Sequence, residues 1–584
     1  MRRPLLVYDA DCEFCRRWVE RWRARTGDAI RYRPLQQRAP LVRLGVTRAA
    51  ATRAIQLIEP GGQRAEGAEA VFRVLARDPR LRWVARLGRL PGVRAAAALA
   101  YRLVARHRRA ASRLDRLLFG RAVAPTERRL VRWLFLRALG VTYLVAFWSL
   151  ERQVLGLYGQ RGISPIRPQL DAWRARIGRD AYRLAPSLLW LGATDRDLVR
   201  LCQAGEACAA ALALGVAPRV AALACWAFYL SFVATGGEFL SYQWDVLLLE
   251  AGLQGALDAP LLLRWLVVRL HFQSGLAKLR SYDATWRALT ACAYHYETQP
   301  LPTPLGWYAH HLPRPLQRLS TAVALGIELG APGLGLGPRR ARRAAFALLA
   351  GLQALIAATG NFAFFNLLSV ALALWLLDDE TLRRLPALRP LRDARPRALR
   401  PWRRAAGAAV WAAPAAASLS AFLAGVRERP LPAPLERLMA RLAPLRSFNT
   451  YGLFSVMTTS RPEIVVEGSD DGQTWRAYAF RYKPSQPGDR PRWAAPHQPR
   501  LDWQMWFAAL GPPPRWFTRF LRRLLEGSPE VLALLRANPF PAHPPRFVRA
   551  QLYDLRATDL ATRRRTGAWW RRELVGTYVP AVTL

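Results

Sequence analysis

Nine apolar blocks between residues 133 and 425 constrain the fold of this chain more than any other feature of its sequence. The blocks are Trp133–Leu150, Leu198–Val216, Val220–Gly236, Trp244–Leu257, Leu261–Leu279, Leu319–Leu336, Ala344–Thr359, Phe362–Leu377 and Ala405–Gly425. A helix needs about 20 predominantly apolar residues to cross a bilayer, and several of these blocks approach that length. The sequence therefore predicts a polytopic α-helical membrane domain over residues 126–430, with about nine spans.

The positive charge of the chain is concentrated between these blocks. There are 87 Lys and Arg residues against 41 Asp and Glu residues, which gives a net charge of +46 on a chain that is 52% hydrophobic. Such a charge is typical of nucleic-acid binding or of membrane topology, because cytoplasmic loops collect arginine. No nucleic-acid-binding motif accompanies the charge. We therefore interpret it as topology and expect the bilayer, and no nucleic acid, as a partner.

Three arginine-rich segments test that interpretation. Residues 80–132 contain 15 arginines, residues 339–343 contain four, and residues 378–404 contain nine. Nine alternating spans from an inside N-terminus put all three segments on the inside, whereas the arginines of residues 151–186 run against this count. The pattern predicts a bacterial inner-membrane type of protein, with a cytoplasmic N-terminal domain and an extracytoplasmic C-terminal domain.

Residues 1–120 have the pattern of a small α/β domain. Leu5–Tyr8 and Ile55–Ile58 are short apolar runs typical of buried strands, whereas Cys12–Arg25 and Ala68–Leu75 have helical spacing. The first strand is too short for the apolar region of a signal peptide. We predict a thioredoxin-like α/β fold for this N-terminal domain.

A pair of cysteines lies between the first strand and the first helix. In Asp9-Ala10-Asp11-Cys12-Glu13-Phe14-Cys15, Cys12 falls at the helix N-terminus, where the helix dipole and free N–H groups stabilise a thiolate. Cys12 is then the attacking thiol, and Cys15 resolves the mixed disulfide. The alternatives are half of a zinc site or two inert thiols. No second cysteine pair and no histidine precedes His107, so we predict no metal and no cofactor.

This motif resembles the DCC family of thiol–disulfide oxidoreductases. The strand, the D-x-x-C-x-x-C pattern and the basic helix after it are similar to that family, as are Glu66–Phe72 and Tyr101–Arg109. The resemblance implies a thioredoxin-like fold and a redox role for Cys12 and Cys15 within a motif that includes Asp9 and Asp11. Because cytoplasmic dithiols are kept reduced, the predicted inside position of this domain leads us to expect a cytoplasmic thiol partner.

The last part of the chain is again soluble in character. Ile464–Glu467 and Arg476–Tyr482 flank the turn residues 469–472 and predict a β-hairpin. Helical stretches follow at Trp503–Leu510 and Trp516–Leu525. We predict a β-rich α+β domain over residues 445–584.

Lys278 is the second candidate site. Lysine occurs only at positions 278 and 483, whereas every other basic side chain apart from histidine is arginine. Lys278 lies at the outer end of the fifth block, and ionisable groups in membrane spans are often functional because they are costly to bury. A desolvated lysine acts as a base, but a lysine near a span end also reaches to the interface, and both interpretations stay open.

The fourth block contains two acids, Asp245 and Glu250. We expect them to form a structural network with Arg264, Arg269 or His271 and not to act in catalysis. Glu206 and Glu328 are weaker candidates for the same two roles. His271, His295, His310 and His311 lack the spacing of metal ligands.

Several strings in residues 130–584 resemble the lipase maturation factor family. They are Leu157–Gly159, Gly162–Pro165, Phe239–Glu250, Thr359–Asn366, Asn449–Phe454, Pro499–Phe507 and Arg549–Tyr553. The resemblance implies a membrane chaperone whose partner is a secreted client protein such as a lipase.

In its membrane part, that family is similar to vitamin K-dependent gamma-glutamyl carboxylases and HTTM domains. There a G-x-x-K-L element carries the catalytic base, and Gly275, Lys278 and Leu279 match it. The match implies an alternative function, a carboxylase-like membrane enzyme that uses Lys278 as its base.

Overall fold

A computed structural model describes residues 3–37, 45–78, 81–120, 128–386, 401–427 and 430–584, with the side chains of residues 401–411 excepted. The chain divides into two compact units. The first comprises Met1–Glu127 with Gly337–Arg343 and Asp378–Arg383, and the second comprises the remainder.

The first unit is built on a four-stranded sheet with the strand order β2-β1-β3-β4. Strand β1 (Leu5–Tyr8) is parallel to β2 (Arg31–Pro34) and antiparallel to β3 (Gln56–Ile58), which pairs with β4 (Arg64–Glu66). The helices are α1 (Glu13–Thr26), α2 (Arg48–Arg53), α3 (Gly67–Ala76), α4 (Arg82–Leu87), α5 (Pro91–Arg106) and α6 (Arg108–Phe119). The predicted thioredoxin-like α/β domain is confirmed.

Both faces of strand β1 are buried. Leu6 and Tyr8 pack on one face with Trp22, and Leu5 and Val7 pack on the other. Side chains alternate between the two faces of a strand, so a strand covered on both sides is apolar throughout. This explains why β1 is visible in the sequence as an unbroken apolar run that ends directly before Asp9.

In the second unit, each predicted apolar block is helical. The helices are α7 (Arg129–Tyr158), α8 (Ile166–Ile177), α9 (Asp180–Leu184), α10 (Asp195–Leu214), α11 (Pro218–Thr235), α12 (Gln243–Ala256), α13 (Pro260–Arg280), α14 (Ala284–Arg287), α15 (Ala291–Thr298), α16 (Pro304–His310), α17 (Arg314–Leu336), α18 (Arg339–Thr359), α19 (Phe365–Ala373), α20 (Asp379–Leu382), α21 (Pro401–Val426) and α22 (Ala433–Leu442). Of these, α18 takes its first residues from the first unit, and α20 belongs to the first unit. Within the described ranges, α7, α11, α17 and α18 are long and apolar enough to cross a bilayer. The count of nine spans stays a prediction.

Ion pairs show that α12 runs antiparallel to α7 and α11. Asp258, just after α12, pairs with Arg132 at the start of α7 (2.9 Å) and with Arg219 at the start of α11 (2.7 Å). At the opposite end, Gln153 near the end of α7 donates to the carbonyl of Gln498 in the C-terminal domain (2.7 Å). The C-terminal domain therefore packs against one end of the bundle.

The C-terminal domain contains a second four-stranded sheet, with the order β6-β5-β7-β8. Its elements are β5 (Pro462–Ser469), β6 (Arg476–Ala477), α23 (Arg500–Ala509), α24 (Arg515–Leu525), α25 (Pro529–Leu532), β7 (Phe547–Ala557), α26 (Leu560–Thr566) and β8 (Trp570–Val582). The β-rich α+β prediction and both predicted helices are confirmed. The predicted strand Arg476–Tyr482 is too long, because Ala479 leaves the hairpin and pairs with Ala537 instead.

A buried ion pair joins this domain to the bundle. Arg500, at the start of α23, donates to both carboxylate oxygens of Asp245 (2.9 and 3.0 Å), and Tyr229 donates to the same carboxylate (2.5 Å). Arg500 and Asp245 are 1% and 0% exposed. The expected partners of Asp245 were wrong, since its partner lies 255 residues away in another domain.

Glu250 forms a second such junction. It pairs with Arg269 of α13, as predicted, and also accepts hydrogen bonds from the Tyr451 hydroxyl (2.7 Å) and the Asn449 backbone N–H (3.3 Å). The residues that join the bundle to residues 447–584 thus come from three of the strings that carry the family resemblance. These strings are Phe239–Glu250, Asn449–Phe454 and Pro499–Phe507.

Candidate functional site

The Cys12–Cys15 pair lies where β1 passes into α1. Cys12 is the N-cap of the helix, and its sulfur accepts the Cys15 backbone N–H at 3.3 Å. Both cysteines are free and partly buried, as an attacking thiol within reach of a partner requires. The predicted position of Cys12 at the helix N-terminus is confirmed.

Asp9 fixes the loop that carries the cysteines. Its Oδ1 accepts the Asp11 N–H (3.1 Å) and the Gln36 side-chain amide (3.0 Å), and its Oδ2 contacts Arg108 (3.4 Å). Arg108 also donates to the carbonyls of Thr52 and Arg53 at the end of α2 (2.5 and 2.8 Å). The Asp9 side chain therefore holds the loop in position. The Asp11 side chain is exposed, and Asp11 takes part only through its backbone N–H, which Asp9 accepts.

The surroundings shift the pKa values of the two thiols in opposite directions. The pKa of Cys12 is lowered to about 6, mainly by the hydrogen bond from the Cys15 thiol, and further by the Cys15 N–H and the positive charge of Arg108. The pKa of Cys15 is raised, because it donates that hydrogen bond to Cys12 and is more deeply buried. At neutral pH, Cys12 is a thiolate and Cys15 a thiol, which is the arrangement of an attacking and a resolving cysteine.

An apolar cavity of about 420 Å³ opens beside Cys15. Its walls come from α1, α3 and α5 and include Phe14, Trp18, Trp22, Ile55, Val71, Phe72, Tyr101 and Val104. The Tyr101 hydroxyl accepts the Ile55 N–H at 3.0 Å. Gly67, with φ +58°, leaves the space for that ring, since an added Cβ would lie 3.3 Å from it. The cavity is large enough for an apolar side chain of a partner protein.

Lys278 lies in the second unit and has a charge partner. Its Nζ donates to both oxygens of Glu328 (3.0 and 2.9 Å) and lies 5.3 Å from the ring centre of Trp286. Gly275 permits this contact, because a Cβ there would lie 3.0 Å from the Cβ of Glu328. Gly275 thus allows α13 to approach α17 closely, and Lys278, three residues later, pairs with a glutamate of α17.

The ion pair borders an apolar cavity of about 450 Å³. The polar groups on its wall include His271, Lys278, His295, Glu328 and Gln353. An ammonium that donates to a carboxylate has no lone pair with which to accept a proton. The base role of Lys278 stays a prediction, and the geometry gives this lysine a charge partner.

The four clustered histidines have different immediate neighbours. His271 contacts the Val267 carbonyl (3.0 Å), and His295 stacks on Phe362. His310 lies 4.0 Å from Glu297, and His311 lies between the carbonyls of Trp307 (2.8 Å) and Thr558 (2.7 Å). Across the described residues, no group of three or more His, Cys, Asp or Glu side chains could hold a metal ion.

Three residues of these sites were missed or undervalued in the sequence. Arg108 was counted with the topological arginines, although it lies in Tyr101–Arg109, one of the strings similar to the DCC family, and contacts Asp9 of the cysteine loop. Glu328 was treated as a weaker case of Asp245, and Arg500 was not considered. An acid inside a span is the signal that could have indicated such partners.

Three family models match separate parts of the chain. The lipase maturation factor transmembrane domain matches residues 130–384, and the lipase maturation factor C-terminal domain matches residues 447–580. A DCC1-like thiol-disulfide oxidoreductase matches residues 6–114. Both resemblances found in the sequence are confirmed.

Curated relatives cover most of the chain. Lipase maturation factor 2 of Mus musculus is 34% identical over 589 residues, covering 78% of this chain and 83% of the relative, and that of Homo sapiens is 34% identical over 594 residues with the same coverage. Lipase maturation factor 1 of Homo sapiens is 32% identical over 513 residues, covering 78% of this chain and 88% of the relative. No solved structure matches the chain.

The pH dependence of alkylation tests the cysteine site. Because the thiolate is the reactive form, labelling of Cys12 by iodoacetamide should rise with pH around a midpoint of about 6 and reach its plateau by neutral pH. Arg108→Gln removes a positive charge and should move that midpoint upward, whereas Arg109→Gln at an exposed neighbour should leave it unchanged. Peptide mass spectrometry of the labelled protein gives the rates; a wild-type midpoint near the ~8.5 of free cysteine would contradict the site.

Proposed function

Because the chain belongs to the lipase maturation factor family, we propose that it assists the folding of secreted client proteins from within a bacterial-type inner membrane. The observation that carries the proposal is the similarity of both the membrane bundle and the C-terminal domain to this family. The relatives' names refer to lipases, so a secreted lipase is the proposed client.

An exposed edge of the C-terminal sheet supports client binding. Strand β8 is 13 residues long and, among the strands of the described residues, has one neighbour only, β7. Leu574 and Val575 on this strand are 57% and 62% exposed. An edge strand with open N–H and C=O groups can pair with an extended segment of an incompletely folded protein. We place this edge on the extracytoplasmic side, where a secreted client folds.

The N-terminal domain supplies a separate thiol–disulfide exchange. Cys12 thiolate attacks a disulfide of a partner and forms a mixed disulfide while one partner thiolate leaves. Cys15 then loses its proton and attacks Cys12, which closes the Cys12–Cys15 disulfide and releases the second partner thiolate. The partner gains two electrons, and a cellular dithiol must reduce the domain again. We place this domain in the cytoplasm, where thiols are kept reduced, on the basis of the arginine-rich segments beside it.

Secretion of active lipase tests the chaperone proposal. In a host that lacks the gene, lipase activity per amount of secreted lipase should fall, and the wild-type gene should restore it. An immunoblot separates folding from expression, because misfolded client would be present but inactive. Unchanged specific activity for every secreted lipase of the host would refute the client role. A Cys12→Ser/Cys15→Ser variant that restores full activity would assign maturation to the membrane and C-terminal parts alone.

Trapping of mixed disulfides tests the redox proposal. In a Cys15→Ser variant, Cys12 can attack a partner but nothing resolves the product, so disulfide-linked partners should accumulate and disappear on reduction. Cys12→Ser is the matched control, since it retains one cysteine of the pair but lacks the low-pKa thiol. If both variants capture the same amount of protein, Cys12 is not the attacking group.

A further inference from the structure

The helical part of the first unit exposes large apolar side chains next to arginines. Between residues 82 and 119, the exposed members are Trp83 (61%), Leu87 (45%), Leu90 (52%), Val93 (39%), Leu99 (64%), Leu103 (62%), Leu114 (54%) and Leu117 (60%). Single exposed apolar residues are ordinary on a protein surface, but so many within 35 positions are not. They therefore need an explanation.

These side chains follow helical spacing. Trp83, Arg86, Leu87 and Leu90 stand at i, i+3, i+4 and i+7 of α4 and its end, and Leu99, Arg102, Leu103 and Arg106 repeat this spacing on α5. Arg113, Leu114 and Leu117 form a similar group on α6. Residues so spaced share one face of a helix. We call these three groups the exposed stripes.

The inner sides of α5 and α6 already have partners. Tyr101 and Val104 of α5 line the cavity beside Cys15. On α6, Asp115 is 3% exposed and pairs with Arg17 (2.6 Å) and Arg21 (2.5 Å) of α1. The exposed stripes are thus not needed to hold the domain together.

The arginines around the stripes have no acidic partner in the part of the chain that the structure describes. They are Arg82, Arg86, Arg89, Arg94, Arg102, Arg106, Arg109 and Arg113, and all are exposed. Exposed Trp and Leu side chains interspersed with arginines suit the interface of an anionic membrane, because the apolar groups enter the headgroup boundary while the long arginine side chains reach the lipid phosphates. Such a surface attracts each basic residue within a Debye length.

The connection to the membrane keeps this surface within reach of lipid. Helix α6 ends at Phe119, and the first apolar helix, α7, begins at Arg129. Ten residues can extend by at most about 35 Å. A bilayer surface is therefore always available to the stripes, whereas a soluble partner must first be encountered.

We propose that the exposed stripes bind the surface of an anionic bilayer, with their apolar side chains at the headgroup boundary and their arginines on lipid phosphates. This goes beyond the thiol–disulfide exchange of the same domain. It holds Cys12 close to the membrane surface, so that disulfides of membrane-bound partners meet it more often than those of freely diffusing ones.

Hydrogen exchange of the full chain in lipid nanodiscs tests the proposal. One set of nanodiscs contains phosphatidylcholine alone, and the other contains an equal mixture with phosphatidylglycerol. Peptides covering residues 82–117 should exchange more slowly in the anionic nanodiscs, and added salt should remove the difference. Equal exchange of these peptides in the two kinds of nanodisc would overturn the proposal, whether both lipids protect them or neither does.

Matched variants separate lipid binding from general charge effects. Arg102→Gln/Arg106→Gln should reduce the anionic-lipid protection by about fivefold for each arginine removed. Arg25→Gln/Arg31→Gln removes the same charge from exposed positions outside the stripes and should leave the protection as in the wild type. If this control loses protection to the same extent, the stripes have no specific role. The alkylation midpoint of Cys12 reports that each variant is folded.

Discussion

The ion pair of Arg500 and Asp245 is the contact on which the second unit depends. Taking two charges out of water costs several kcal/mol for each ion, and the cost is offset only when the geometry and the remaining hydrogen bonds are good. Here a bidentate contact is completed by Tyr229 and by the carbonyl of Phe239, which accepts from Arg500 at 2.6 Å. Either residue alone would be an uncompensated buried charge, so the bundle and the C-terminal domain stabilise each other. Glu250, with Arg269 and Tyr451, repeats the arrangement.

The two lysines follow the same physical logic. Both are buried and both pair with a glutamate: Lys278 with Glu328, and Lys483 with Glu463 (2.6 Å). The Lys483 ammonium also donates to the Ile464 carbonyl and the Ser485 hydroxyl, both at 2.9 Å. A compact ammonium directs its three donors tetrahedrally from one nitrogen, whereas a guanidinium holds its five donors in one plane. Both lysines of this chain occupy buried positions beside a glutamate.

Sequence reasoning worked where the determining contacts are local. The apolar run of β1, Cys12 at the helix start and the period of the membrane helices all depend on neighbouring residues. It failed where partners are distant, since nothing near Asp245 indicates Arg500. Strands β7 and β8, of 11 and 13 residues, were also missed. Arginines and half-exposed positions interrupt their alternation, and their partners lie across the sheet in β5 and in each other.

The buried ion pair makes the bundle and the C-terminal domain one cooperative body. A double-mutant cycle with Asp245→Asn and Arg500→Gln, followed by thermal unfolding of the full chain in detergent, measures the coupling between them. Each single variant should lose ~3–5 kcal/mol. The double variant should lose clearly less than the sum, whereas the partly exposed pair Glu467 and Arg549 should show coupling of at most ~1 kcal/mol. Additive losses at Asp245 and Arg500 would contradict the account.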